Sequence, residues 1–267
     1  MVETSPLQRN LYALLIGVDY YQPNLLPDGG RYPSLAGCVR DISHVETFLK
    51  ERLELTDEQV IKLTSTDNKD GPLEPKQRWP TYENMVDAFQ EITRRAKAGD
   101  QVYIHYSGHG GRTITAFPEI KGDKALDESL VPLDIGSPGA RYLRDVEIAH
   151  LLKQMTDKNL IVTVVFDSCH SGGATRGIGD GAVRGISSID TTERPTDSLV
   201  ASAEELKQTW MGIPSSNTRS AALGSGWFPE MENTVLLAAC CANELANEFA
   251  FEGRRSDGAA PRTPDQV

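Results

Sequence analysis

Apolar positions along the chain change period several times, and each change marks an element. Leu11–Val18 (LYALLIGV) is a nearly unbroken apolar run closed by turn residues, the pattern of a strand buried on both faces. Over Cys38–Leu53 the period lengthens. Val39, Ile42, Val45, Phe48, Leu49 and Leu53 fall at helical spacing, which predicts an amphipathic helix turned towards a core. Residues 60–63 read as a weaker strand, 84–96 as a helix with Met85, Ala88, Phe89 and Ile92 on one face, and 102–106 as a third strand. A helix over 146–155 precedes the strongest strand signal, LIVTVVF at 160–166, and TVLLAA at 234–239 is the last.

Strands alternating with helices predict an α/β sandwich with a mostly parallel, doubly wound central sheet. Ligands bind such sheets at the carboxyl ends of the strands, so catalytic residues should stand just after strands. The whole of 1–267 reads as a single domain, interrupted by a long irregular stretch over 172–232, rich in Gly, Ser, Thr, Arg and Pro, with one helix-like patch at 198–211.

Composition narrows the function classes. The chain has 267 residues, 39% of them apolar, enough for one substantial core. Its 27 basic and 38 acidic residues give a formal charge of -11, which argues against nucleic acid and acidic membrane as partners. Four cysteines occur (Cys38, Cys169, Cys240, Cys241), with no C-x-x-C pair to suggest zinc. The amino-terminal residues have no basic and apolar leader pattern, and the longest apolar runs are strand-sized. A cytoplasmic protein with free thiols is the expectation.

Two segments stand where the α/β rule puts active sites. Tyr106-Ser107-Gly108-His109-Gly110-Gly111 follows the third strand, and Asp167-Ser168-Cys169-His170-Ser171-Gly172-Gly173 follows the strand ending at Phe166. A thiol needs a nearby base to act as thiolate near neutral pH, and histidine is the usual one. Flanking glycines let backbone approach a substrate, so the amides of Gly110 and Cys169 are candidate oxyanion donors. Alone, a Cys after a buried strand is more often a small core residue, and Gly-His-Gly is usually a turn. Both together, each framed by glycines, favour the catalytic reading. His170 is a poorer base because it adjoins the Cys; His44, His105 and His150 lie inside predicted elements and read as structural.

YSGHGG and DSCHSGG resemble the His and Cys motifs of the caspase-like clan, peptidase C14, in its metacaspase and orthocaspase branch. LYALLIGVDYY, LAGCVRD, DESLVPLD and TVLLAACCANELANEFAF are similar to the same family, in its order. The resemblance implies a caspase-like α/β/α sandwich and a cysteine endopeptidase with a Cys169–His109 dyad working through a thioester acyl-enzyme. It also implies a pocket for a basic P1 side chain, with Asp41 and Asp167 as its carboxylates and Cys38 and Ser107 as further lining. Asp41 stands in the first turn of the helix after strand one, on the active-site side; such an acid also simply complements a helix N-terminus. Two carboxylates there would pair an Arg or Lys and repel an acidic P1 residue.

Many members of the resembled family are calcium-activated. Asp127 and Asp145 match two of the aspartates involved, but Val146 and Arg176 stand at the other two positions. A cationic side chain opposes calcium, so no required cofactor is expected. Arg176 and Arg184 are candidate self-cleavage points, against an ordinary solvated loop. Relatives of this type usually close with an apolar helix. Here 253–267 carries two prolines in its last eight residues and departs from that pattern. The alternative reading is accordingly a catalytically impaired regulator that binds a caspase-like partner chain.

Overall fold

The computed structural model describes residues 10–68, 70–168, 189–213 and 231–238, and the backbone of 250–251 and 254–255. Five parallel strands form the central sheet in the order β2 (Val60–Ser65), β1 (Leu11–Val18), β3 (Gln101–Ser107), β7 (Ile161–Asp167), β8 (Thr234–Ala238). Helix α1 (Cys38–Leu53) packs on one face; α2 (Tyr82–Arg95) and α4 (Asp145–Asp157) pack on the other, with α5 (Ala203–Gly212) against α4. The predicted sandwich is the structure's architecture.

Burial explains why β1 lacks alternation. Leu14, Ile16 and Val18 enter the larger core with Phe89, Ile92, Ile104, Leu151, Val164 and Phe166, while Ala13 and Leu15 meet Ile42, Leu49 and Leu55 under α1. A strand buried on both faces needs apolar side chains at every position. The α1 face is less completely covered than its sequence pattern suggests. Phe48 and Leu53, expected in the core, are 56% and 49% exposed, beside a cavity of about 440 Å³ lined by Leu11, His44, Tyr103 and Thr163. That cavity opens at the amino ends of the strands, away from the two motifs.

A second, antiparallel sheet, which the sequence pattern does not predict, consists of β4 (Gly110–Ile114), β5 (Leu126–Leu130) and β6 (Leu143–Arg144), with the one-turn helix α3 (Pro118–Lys121) between β4 and β5. This sheet begins directly after His109, so the motif histidine sits at the joint between the two sheets. Helix boundaries otherwise move by a few residues: 84–96 becomes Tyr82–Arg95, capped by the Thr81 hydroxyl, and 146–155 becomes Asp145–Asp157. Among the described residues no helix is long and apolar enough to cross a membrane.

Candidate active site

The carboxyl ends of β1, β3 and β7 bring the described members of the predicted set to one edge. Gly17, Ser107 and Asp167 are register partners across the three strands, and Ser107 Oγ lies 3.5 Å from Asp167 Oδ2. In sequence, His109 and Cys169 each follow this row by two residues, after the adjacent parallel strands β3 and β7. The Gly108 amide reaches the Asp167 carbonyl at 3.4 Å, tying the His loop to the end of β7. Cys169 itself lies outside the described residues, as do His170, Arg176 and Arg184.

Helix α1 is set against the same edge by two features. A Cβ on Gly17 would meet the Cys38 carbonyl and Ile42 Cγ1 at 3.0 Å, so the glycine allows the helix start to lie on the strand. Its N-cap Gly37 offers no side chain; Asp19, from the end of β1, accepts instead from the Cys38 amide at 2.8 Å and the Val39 amide at 3.4 Å. A carboxylate at a helix N-terminus satisfies orphan donors and complements the dipole. Buried Cys38 and Asp41 therefore sit in the first turn, on the helix whose start packs against the neighbour of Ser107.

His109 is wholly buried in a cage of tyrosines. Its ring centroid lies 4.8 Å from Tyr21 and 5.4 Å from Tyr32. Its amide donates to Tyr21 Oη at 2.7 Å, and Tyr106 Oη donates to its carbonyl at 2.7 Å. Burial pushes both phenols above their ordinary range, so they stay neutral. Most telling is the ring itself: Nε2 lies 2.8 Å from the Pro33 carbonyl. A carbonyl only accepts, so Nε2 carries the proton and Nδ1 is the basic nitrogen. Gly111, two residues on, faces this cage: a Cβ there would meet Tyr32 Oη at 2.5 Å and Tyr142 Cε1 at 3.0 Å. Gly111 thus makes room for tyrosines, whereas the sequence had suggested approach of a substrate.

The two aspartates weighed as calcium ligands lie at the other end of the β4–β5 sheet, both buried. Lys121 Nζ bridges them, 3.0 Å from Asp127 Oδ1 and 2.6 Å from Asp145 Oδ2. Arg144 Nη1 lies 2.6 Å from Asp127 Oδ2, which also accepts the Ala116 amide; the Val146 amide donates to Asp145 Oδ1. Against the penalty of burial, Lys121 and Arg144 hold the Asp127 carboxyl below its usual range, while burial and Asp127 raise that of Asp145. Calcium needs six to eight oxygens. Here the carboxylate oxygens are already engaged by two cations and by backbone amides, and Val146 offers no side-chain oxygen. The residues present do not fit a divalent cation.

Asp134, in the loop that carries Tyr142, has an Oδ1 without a hydrogen-bond partner among the described residues, and burial raises its carboxyl to about 6. Its pKa is raised on folding, so this group's own contribution to stability is fully present below about pH 4 and is lost as pH rises through 6. Asp134→Asn should therefore add on the order of 1 kcal/mol at pH 8 and nothing at pH 4. Calorimetric midpoints at the two pH values measure this.

The sheet order and helix layers define a caspase-like α/β fold. Crystallised protein GSU0716 from Geobacter sulfurreducens shares it with a TM-score of 0.53 at 20% identity, over 94% of this chain and 78% of that one. A family model, metacaspase peptidase C14 domain, matches residues 12–176. Metacaspase-1B of Aspergillus fumigatus is 35% identical over 165 residues, 61% of this chain and 35% of that protein. Metacaspase-1 of Mycosarcoma maydis is 33% identical over 174 residues, 64% of this chain and 38% of its own. The chain belongs to the metacaspase family, and it spans about a third of the length of these curated relatives.

Proposed function

We propose that this chain is a cysteine endopeptidase that cuts after Arg or Lys, with Cys169 as nucleophile and His109 as general base. The observation that carries the reading is the Pro33 carbonyl on His109 Nε2, which leaves Nδ1 to take a proton. In this reading Nδ1 accepts the Cys169 thiol proton, and the thiolate attacks the scissile carbonyl. The amides of Gly110 and Cys169 hold the oxyanion while His109 returns the proton to the leaving amine. Water then attacks the thioester, with His109 again as base, and regenerates the thiol.

Asp41 and Asp167 supply the negative charge for the P1 cation, with Ser107 and Cys38 lining the pocket. The support is positional: Ser107 and Asp167 are paired neighbours, and α1 presents Asp41 from the same edge. No metal is needed in this scheme, because Lys121 and Arg144 already neutralise Asp127 and Asp145. Arg176 and Arg184 follow the nucleophile in sequence and suit the same specificity, which makes self-cleavage part of the reading.

The test is hydrolysis of paired fluorogenic peptides ending in Arg or Asp, with calcium and with EDTA. Arg peptides should be cleaved equally in both, and Asp peptides not at all. Asp41→Asn should lower kcat/KM on Arg peptides by about 10²-fold, because an unmatched buried charge loses 2–5 kcal/mol or so. Cleavage after Asp would overturn the pocket assignment. A folded chain with no hydrolysis would favour the regulator that binds other caspase-like chains.

A further inference from the structure

Residues 189–213 dock beside β4 through a bridge between Asp190 and Thr113, and their first anchor is a buried carboxylate. Asp190 is fully buried and fully engaged. Its Oδ2 accepts Tyr142 Oη at 2.7 Å and Arg194 Nε at 2.8 Å; its Oδ1 accepts the Thr192 amide at 2.8 Å. Its amide donates to the Arg112 carbonyl on β4, and its carbonyl accepts the Thr113 hydroxyl. Arg194 also lies 5.0 Å over the Tyr142 ring.

Hydrogen-bond direction makes this a one-way chain. Tyr142 uses its only proton on Asp190, so the 3.1 Å contact between Tyr32 and Tyr142 is donated by Tyr32. Tyr32 packs its ring on His109 and directly precedes Pro33, whose carbonyl holds Nε2. The chain of contacts therefore runs Asp190, Tyr142, Tyr32, Pro33, His109. Asn24 fixes the Tyr32 backbone independently, with Oδ1 2.7 Å from its amide and Nδ2 2.9 Å from its carbonyl, so breaking the side-chain route should weaken the hold without abolishing it.

We propose that Asp190 is a positioning residue for His109, acting through Tyr142 and Tyr32 to keep the Pro33 carbonyl on Nε2. The site is then complete only while Asp190–Arg194 stay docked on β4. The catalytic consequence rests on His109 being the base; the structural consequence does not. Asp190→Asn weakens the acceptor and uncovers Arg194, so Tyr142→Phe and Tyr32→Phe, which leave that ion pair intact, are tested beside it. Asp197→Ala is the control: Asp197 anchors the same segment through Arg141 but has no part in the route to His109.

Well below each variant's midpoint, the three chain variants should lose about 10-fold in kcat with KM within twofold, as a misplaced base does. Asp197→Ala should change neither. Independently of activity, the His109 Nε2 proton should be protected from exchange in the wild type and exchange at least tenfold faster in the three variants. Equal exchange in Tyr142→Phe, Tyr32→Phe and wild type would overturn the proposal. Faster exchange in the variants, beside a folded wild type that hydrolyses no peptide, would uphold the positioning and sink the peptidase reading instead.

Discussion

Cys169→Ala should abolish hydrolysis of Arg peptides, with a loss of at least about 10³-fold that no calcium or reducing agent restores. The thiol is the only atom set the substitution removes, so the thermal midpoint should stay near wild type. His109 needs a different substitution. Its ring is buried against Tyr21 and Tyr32, and truncation to Ala would open a hole among those rings. His109→Gln fills more of that volume and keeps an N–H for the Pro33 carbonyl, yet supplies no base at Nδ1. It should lose activity to the level of Cys169→Ala, and the double variant should be no worse than either single one, because base and nucleophile act as a unit. Rates of thiol alkylation across pH separate the roles. The wild type should alkylate well below the ordinary thiol range, and His109→Gln only as pH approaches about 8.5. If His109→Gln kept its hydrolysis, the proton would have to go elsewhere, and His170 would be the next residue to change.

Period alone made the sandwich legible. β1, α1 and β7 are legible because each has a long apolar pattern set by a packed neighbour, and the His motif follows β3 as the strand-end rule requires. The antiparallel β4–β5–β6 sheet was missed for the opposite reason. Its strands are GGRTI, LDESL and a two-residue LR, short and polar, and their identity comes from pairing that no local pattern records. Phe48 and Leu53 followed helical spacing faithfully but face a side of the sheet that α1 only partly covers. In the candidate site the sequence singles out His109 but not the group that holds its ring, since a backbone carbonyl at Pro33 has no residue signature. Asp19 caps α1 from nineteen positions upstream of Cys38, beyond any capping pattern. Asp190 and Lys121 look like ordinary charges until the fold buries them.

Lys121 carries the largest expected effect on stability. Its ammonium spans two buried carboxylates, is itself only 12% exposed, and lies 5.2 Å over the Trp210 ring of α5. Lys121→Met keeps a long stem against Trp210 and removes the charge alone. Removing one partner of a buried ion pair costs up to about 3–5 kcal/mol; the raised Asp145 carboxyl can take up a proton instead of staying charged, so the loss is largest at alkaline pH. For a chain of this size that lowers the thermal midpoint by roughly 6–15 °C. Arg144 still pairs with Asp127, so the uncompensated group is chiefly Asp145, at the start of α4. Two facing carboxylates without their ammonium form a rudimentary divalent-cation site, and millimolar calcium should recover part of the lost midpoint in the variant. The wild-type midpoint should not move with calcium or EDTA, since the protein's own cation occupies the position. A wild-type midpoint that rises with calcium would mean that a metal displaces Lys121, and the metal-free reading would fall. A variant that melts like wild type would mean that Arg144 alone neutralises the cluster.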